Sequence, residues 1–217
     1  MELTLEEIIA KLSHSHNATL PPENPYNEYL ERRFSNLALK RAAVLIPFLR
    51  EKDSWHILFI RRTQKSEDLH SGQVAFPGGH CDSEDPDPIH AAYREMHEET
   101  GVTPDDIMYL GRLRDLITIT GYRITPIVGA IPWPYPLVPQ SSEVSRIFTI
   151  PLAWLVDPAN RKTKLRNRPD TDKAFPVLYY QPYSGEILWG ASARITHLLL
   201  EALGFANPEQ RYQTSGK

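Results

Sequence analysis

Residues 78–102 read GGHCDSEDPDPIHAAYREMHEETGV, which places a cluster of carboxylates after a pair of glycines. Within it, Glu95, Glu98 and Glu99 stand at positions i, i+3 and i+4. At about 100° per residue, a helix places the second and third of these within roughly 60° of the first, so all three are predicted to point the same way. Like charges at this spacing destabilise an isolated helix, whereas a multivalent cation converts their repulsion into binding energy. Oxygen ligands alone favour Mg²⁺, Mn²⁺ or Ca²⁺.

The residues on either side of the carboxylates set the limits of the helix. Asp87 is a good N-cap, and Pro88 suits the first helical position. Gly101 can adopt the left-handed conformation that ends a helix. The sequence therefore predicts a helix from Pro88 to Thr100.

A solvated acidic helix face is the alternative to a metal site. Gly78 and Gly79 favour the metal site because they let the backbone approach a ligand closely. Arg94 lies four residues before Glu98 and is placed to hold its carboxylate. These neighbours lead us to prefer a functional site over a solvated face.

The same stretch resembles the Nudix box, the signature of enzymes that hydrolyse a nucleoside diphosphate linked to another group. Asp85 provides an acidic residue six positions after Gly79, and eight residues separate it from Arg94. That interval is one residue longer than the general Nudix pattern, and the longer form occurs in the coenzyme A pyrophosphatase branch. The resemblance implies an α/β class fold, an α/β/α sandwich with a mixed β-sheet between helices, and Mg²⁺ or Mn²⁺ as the cofactor.

The residues ahead of the box resemble a further motif of that branch. Residues 69–79, LHSGQVAFPGG, are similar to the second half of L-x-x-H-x-G-Q-V-A-F-P-G-G, and residues 58–63, LFIRRT, are similar to the preceding strand. The resemblance extends from about residue 40 to about residue 204. It implies hydrolysis of coenzyme A and its derivatives to 3′,5′-ADP and 4′-phosphopantetheine. A second hypothesis keeps the fold and changes the substrate to NADH, ADP-ribose or an oxidised nucleoside triphosphate. A third hypothesis is a non-catalytic nucleotide sensor, which the intact carboxylates disfavour.

The resemblance also implies roles for individual residues. The predicted metal ligands are the carbonyl of Gly79 with Glu95, Glu98 and Glu99. The family does not fix the general base, so the candidates are a box glutamate and Glu143. The alternative for Glu143 is that it only caps a helix. The predicted substrate contacts are Arg61, Arg62, His70, Gly78, Gly79 and Arg94. Because side chains alternate along a strand, only one of Arg61 and Arg62 is expected to face the cleft.

Composition limits the remaining functions. The chain has 217 residues, 41% of them hydrophobic, and a net charge of −3, which excludes a strongly basic nucleic-acid binder. Its single cysteine, Cys81, excludes an internal disulfide and fits a reducing compartment. We expect a cytoplasmic protein with no signal peptide or membrane span. Its expected partner is a small-molecule nucleotide substrate, and a homodimer is left open.

Three regions are predicted: an N-terminal helical extension (1–37), a Nudix hydrolase domain (38–205) and a C-terminal tail (206–217). Residues 161–168 carry five basic residues and are predicted to form a solvated loop, with phosphate recognition as the alternative. The proline-rich segment around Trp133 and Tyr135 is either a rigid connector or a cleft wall that stacks on a base.

Overall fold

The computed structural model describes residues 3–13, 30, 33–34, 37–64, 72–168 and 171–206. Its helices are α1 (Leu5–Leu12), α2 (Pro88–Thr100), α3 (Leu152–Val156) and α4 (Gly190–Ala202). Its strands are β1 (Lys40–Glu51), β2 (Ser54–Arg62), β3 (Val74–Ala75), β4 (Gly78–His80), β5 (Met108–Arg112), β6 (Leu116–Ile117), β7 (Tyr122–Ala130), β8 (Val144–Pro151), β9 (Arg161–Arg168) and β10 (Thr171–Tyr180).

The main sheet of the described residues has the order β3-β2-β1-β7-β5, with β4 on β1, β6 on β7 and β8 on β2. Strands β1 and β7 are parallel, and the other pairs in this sheet are antiparallel. The sheet is therefore mixed, as predicted. Strands β9 and β10 form a separate antiparallel ribbon.

Helices cover both faces of the main sheet because successive side chains of its central strands point to opposite sides. Leu58 and Ile60 of β2 pack with Ala92 and Met96 of α2 on one face. On the other face, Phe59 belongs to the core that also contains residues of α1 and α4: Ile8, Leu12, Ile195 and Leu199. The predicted α/β/α sandwich is confirmed.

The predicted limits of the box helix are also confirmed. Asp87 accepts hydrogen bonds from the backbone nitrogens of Ile89 and His90 at 2.8 and 3.0 Å. At the other end, Gly101 has φ +79° and closes the helix in the left-handed conformation. Local capping residues therefore suffice to place this helix.

The prediction of a solvated loop at residues 161–168 was wrong, because these residues form strand β9. The Lys164 ammonium lies 5.3 Å from the ring centroid of Tyr179 on the adjacent strand. Arg166 lies 5.5 Å from the same ring and 5.1 Å from that of Trp189. Lys164 and Arg166 are nevertheless exposed, so the solvated part of the prediction holds, and cation–π contacts across the ribbon add to their environment.

The structure describes two of the predicted regions, the N-terminal extension and the C-terminal tail, only in part. Most of the N-terminal extension and residues 207–217 lie outside the described residues. Helix α1 is described, and its Ile8 and Leu12 are fully buried in the main core. Within the described ranges, no helix is long and apolar enough to cross a membrane.

Candidate active site

Two of the box carboxylates of α2, Glu95 and Glu99, face the glycine pair of β4, and β4 pairs with β1. The backbone nitrogen of Gly78 donates to Oε2 of Glu99 at 2.9 Å. Gly78 has φ +154°, and a Cβ there would lie 2.4 Å from the carbonyl oxygen of Ala43. Only glycine therefore allows β4 to approach β1 and aim this amide at the helix.

Gly79 has a different requirement. A Cβ at Gly79 would lie 2.5, 2.6 and 2.7 Å from Oε1, Cδ and Oε2 of Glu95. These distances are far below van der Waals contact. The space left by the missing side chain is therefore occupied by a box carboxylate, which puts the Gly79 backbone beside its predicted partner ligand.

Arg94 organises the outer part of the site. Its Nε and Nη2 donate to the two carboxylate oxygens of Asp85 at 3.2 and 2.9 Å. Its Nη1 donates to Glu95 at 2.9 Å and to Glu98 at 3.2 Å, so the predicted support of Glu98 is confirmed. Another bond reaches the carbonyl of His80 at 3.0 Å. These contacts give Arg94 a positioning role, and its predicted contact with substrate stays a prediction.

The bidentate pair also sets the charge states around Arg94. Hydrogen bonding to Arg94 holds the pKa of Asp85 below its usual range, and the carboxylates raise the pKa of Arg94. Both groups are therefore ionised near neutral pH. The sequence identifies Asp85 only through the spacing of the box, and it does not predict the bidentate pair with Arg94.

The three box carboxylates differ in environment. Glu99 is 2% exposed, whereas the side chains of Glu95 and Glu98 are 15% and 55% exposed. Glu95 and Glu98 share the Nη1 donor of Arg94, and Glu95 and Glu99 both lie against the glycine pair, so the three carboxylates lie on one face of α2, as predicted. Within the described ranges, no three acidic, histidine or cysteine side chains are already gathered as a metal site.

The electrostatics nevertheless fit a divalent cation. Burial raises the pKa of Glu99 to about 8, and the nearby carboxylates of Glu95 and Glu143 add to the increase. Burial also raises the pKa of Glu95, with further increases from Glu98 and Glu143. Carboxyl groups whose pKa is raised by burial and by one another need a nearby positive charge to ionise. A divalent cation bound among them would supply that charge. Glu95, Glu98 and Glu99, with the adjacent Gly79 carbonyl, are the donors suited to hold the cation.

Glu143 is brought to this site from a distant part of the sequence. It is exposed, and its charge acts on both Glu95 and Glu99. Its backbone carbonyl accepts a hydrogen bond from the nitrogen of Thr63 at 2.8 Å, which ties its turn to the end of β2. The alternative in which Glu143 caps a helix was wrong, because strand β8 begins at the next residue.

Arg61 and Arg62 diverge at the end of β2, as alternation predicted. Arg62 lies on the carboxylate side, where its charge lowers the pKa of Glu99. Arg61 forms an ion pair with Glu186 at 3.3 Å. His70, another predicted substrate contact, lies outside the described residues.

The proline-rich segment acts as a connector in this structure. The hydroxyl of Tyr135 donates to Asp106 at 2.7 Å and accepts from the backbone nitrogen of Thr103 at 3.1 Å. Trp133 and Tyr135 also pack against the core beneath α2. These contacts occupy Tyr135 in holding the segment, so a rigid connector is favoured over a stacking wall.

Comparison with known proteins identifies the family to which this chain is similar. A NUDIX domain model matches residues 39–177. Proteins named Uncharacterized Nudix hydrolase NudL, from Escherichia coli strain K12 and from Escherichia fergusonii, are each 36% identical over 168 residues, which cover 76% of this chain and 83% of theirs. Among solved structures, a Caenorhabditis elegans Ap4A hydrolase binary complex aligns with a TM-score of 0.45 and 18% identity, covering 52% of this chain and 80% of that one.

Proposed function

Because the chain belongs to the Nudix hydrolase family, whose members act on diphosphate bonds of nucleoside diphosphate derivatives, we propose that its substrate is coenzyme A and its derivatives. The products would be 3′,5′-ADP and 4′-phosphopantetheine, or its acylated form. Nudix hydrolases generally use Mg²⁺ or Mn²⁺, and the proposed enzyme depends on one of these ions.

The position of the two motif halves carries the coenzyme A proposal. Strand β2 contains the first half and β3 lies in the second, and Arg61 pairs with Val74 across them. The nitrogen of Arg62 also donates to the carbonyl of Gln73 at 3.0 Å. The second half then continues into Gly78, whose amide contacts Glu99. Residues that resemble the branch motif therefore border the carboxylate site, where they can contact substrate.

The proposed reaction adds water to one phosphorus of the diphosphate. A new bond forms between the water oxygen and that phosphorus, and the bond from the phosphorus to the bridging oxygen breaks. A divalent ion supplies charge stabilisation for the phosphate oxygens when it is bound. Glu95, Glu98 and Glu99 would hold that ion, and Glu143 would accept a proton from the attacking water.

Positioning residues support these roles. Arg94 fixes the outer carboxylates, and the Gly78 amide fixes Glu99 within a buried setting. Preorganised groups of this kind lower the reorganisation needed when charge develops at phosphorus.

A substrate panel tests the proposal. The purified protein is assayed with Mg²⁺ and with Mn²⁺ against coenzyme A, NADH, ADP-ribose and 8-oxo-dGTP. The proposal expects the highest kcat/KM for coenzyme A. Clearly faster cleavage of NADH or ADP-ribose would reject the coenzyme A assignment and leave the Nudix chemistry in place.

A further inference from the structure

A cleft of about 460 Å³ opens where β2 ends and β8 begins, and its lining does not include the box carboxylates. Its lining residues are Arg61, Gln64, Ser145, Arg146 and Glu186. Four of these five side chains can donate hydrogen bonds, and two of them are cations. The cleft therefore has the chemistry of an anion site.

Two like charges face each other in this cleft. Arg61 and Arg146 are direct partners across the β2–β8 ladder, so their side chains lie on the same face of the sheet. Two residues further into the sheet, Phe59 and Phe148 form the corresponding pair, with ring centroids 6.1 Å apart. Like charges directly opposite each other destabilise a sheet, so this arginine pair requires a compensating anion.

Glu186 supplies only part of that compensation. Its Oε1 lies 3.3 Å from Nη1 of Arg61 and 3.0 Å from Nη1 of Arg146. Its side chain is 7% exposed, whereas the two arginines are 38% and 44% exposed. Two guanidinium cations and one carboxylate leave one net positive charge at the mouth of the cleft.

The two arginines also retain hydrogen-bonding capacity. Their bonds to described residues use only Nη1: Arg61 donates to Glu186, and Arg146 donates to Glu186 and to the carbonyl of Ser184. A guanidinium carries five N–H donors, so the Nε and Nη2 groups remain for a ligand. Their planar arrangement matches the oxygens of a phosphate.

The cleft shares a strand end with the carboxylate site. Arg61 lies in the cleft, and Arg62, the next residue, acts on Glu99 from the opposite face. Ser145 donates to the carbonyl of Arg61 at 3.1 Å, while the preceding turn carries Glu143. One extended substrate could therefore place one group in the cleft and another at the box carboxylates.

We propose that Arg61 and Arg146 bind a phosphate monoester of the substrate that is remote from the diphosphate being cleaved. This inference rests on the proposed function, because it assigns this cleft to the phosphorylated ribose of a nucleotide substrate. Glu186 is a positioning residue that keeps the two guanidinium groups together in the absence of ligand.

A pair of substrates that differ by one phosphate tests the site. The kcat/KM values for coenzyme A and 3′-dephospho-coenzyme A are measured for the wild type, Arg61→Ala, Arg146→Ala and the control Arg50→Ala. Arg50 pairs with Trp55 at the start of β2, at the other end of that strand from Arg61, so Arg50→Ala removes the same charge away from the cleft. The wild type and the control should prefer coenzyme A by roughly tenfold to a hundredfold. Arg61→Ala and Arg146→Ala should lose this preference through slower coenzyme A cleavage alone, and an equal decrease for both substrates would overturn the site.

A binding measurement separates this site from the proposed reaction. Calorimetry in EDTA compares adenosine 3′,5′-bisphosphate with AMP on the wild type, Arg146→Ala and Arg146→Lys. The wild type should bind the bisphosphate more tightly than AMP. Arg146→Ala should lose this difference and Arg146→Lys should keep part of it, and this result supports the site even if coenzyme A is not cleaved. Cleavage of coenzyme A by a protein that binds both nucleotides equally rejects the site and leaves the proposed function standing.

Discussion

The Oε2 atom of Glu99 accepts a hydrogen bond from the backbone nitrogen of Gly78 at 2.9 Å. This contact joins the most buried carboxylate of the box helix to the glycine pair that precedes it. The amide favours the ionised carboxylate, but burial outweighs it and the pKa of Glu99 rises to about 8. The fold therefore holds a carboxylate whose charge is costly until a cation is present.

Glu99→Gln should change how the stability of the metal-free protein depends on pH. The pKa of Glu99 is raised to about 8 in the folded protein from an ordinary value of 4.5. Between these values the folded state holds a proton that the unfolded chain has lost, so the free energy of unfolding falls as pH rises. The loss is on the order of a few kcal/mol and is complete above the folded pKa. Glutamine is uncharged and can still accept from Gly78, so the variant should lose this slope.

Urea denaturation in EDTA across this range, for the wild type and Glu99→Gln, measures the effect. The variant should be more stable than the wild type at the alkaline end and nearly inactive with metal added. Parallel pH dependences for the two proteins would show that Glu99 does not carry the buried charge assigned to it.

Gly79→Ala should damage catalysis more than stability. The added Cβ would lie 2.5 Å from Oε1 of Glu95, so that side chain must move towards solvent. A displacement of about 1 Å at a reacting site can cost up to about a hundredfold in rate, and we expect kcat to fall by roughly tenfold to a hundredfold.

Gly204→Ala is the matched control, because Gly204 has φ +80° and its nearest neighbour to a new Cβ is the flexible Lys11 ammonium at 3.5 Å. It should lower the melting temperature through backbone strain and leave kcat unchanged. If Gly79→Ala behaves like Gly204→Ala, the glycine is required for folding rather than for placing Glu95.

Glu143→Gln should lower kcat by roughly 10²–10⁴ if Glu143 is the general base, while metal affinity stays near the wild-type value. Metal affinity is measured by calorimetry and kcat by steady-state assay. Glu6→Gln, at an exposed position of α1, controls for loss of one acidic charge. A change in metal affinity alone would make Glu143 a ligand, and no change in either quantity would leave Glu95 as the leading base.

Arg94→Ala should reduce both stability and activity. It removes the hydrogen bonds to Glu95 and Glu98 and leaves Asp85, whose side chain is 7% exposed, without its bidentate partner. An unsatisfied group of this kind costs about 1–3 kcal/mol. Thermal denaturation should show partial recovery of stability in Arg94→Ala/Asp85→Asn, with no recovery of kcat. Wild-type stability in Arg94→Ala would rule out the organising role of this ion pair.

Local sequence was sufficient for the box helix but not for the surroundings of its carboxylates. Asp87 and Gly101 act within one turn of the helix ends, so both limits could be predicted. Glu186 contacts Arg61 across 125 positions in the chain, and no local pattern connects them. Strand β9 was not predicted because its basic side chains contact the rings of Tyr179 on β10 and of Trp189. These contacts exist only in the folded ribbon.

We propose that the box carboxylates hold a divalent cation that diphosphate hydrolysis requires. The most direct test is kcat for coenzyme A in Mg²⁺ for the wild type, Glu98→Gln and Glu99→Gln, with the wild type repeated in EDTA. Loss of a ligand removes several kcal/mol of charge stabilisation, so both variants should lose orders of magnitude in kcat while keeping the fold by circular dichroism. Activity of the wild type should vanish in EDTA and return with Mg²⁺ or Mn²⁺. Full activity in EDTA, or in the variant that combines both substitutions, would contradict metal-dependent hydrolysis at these carboxylates.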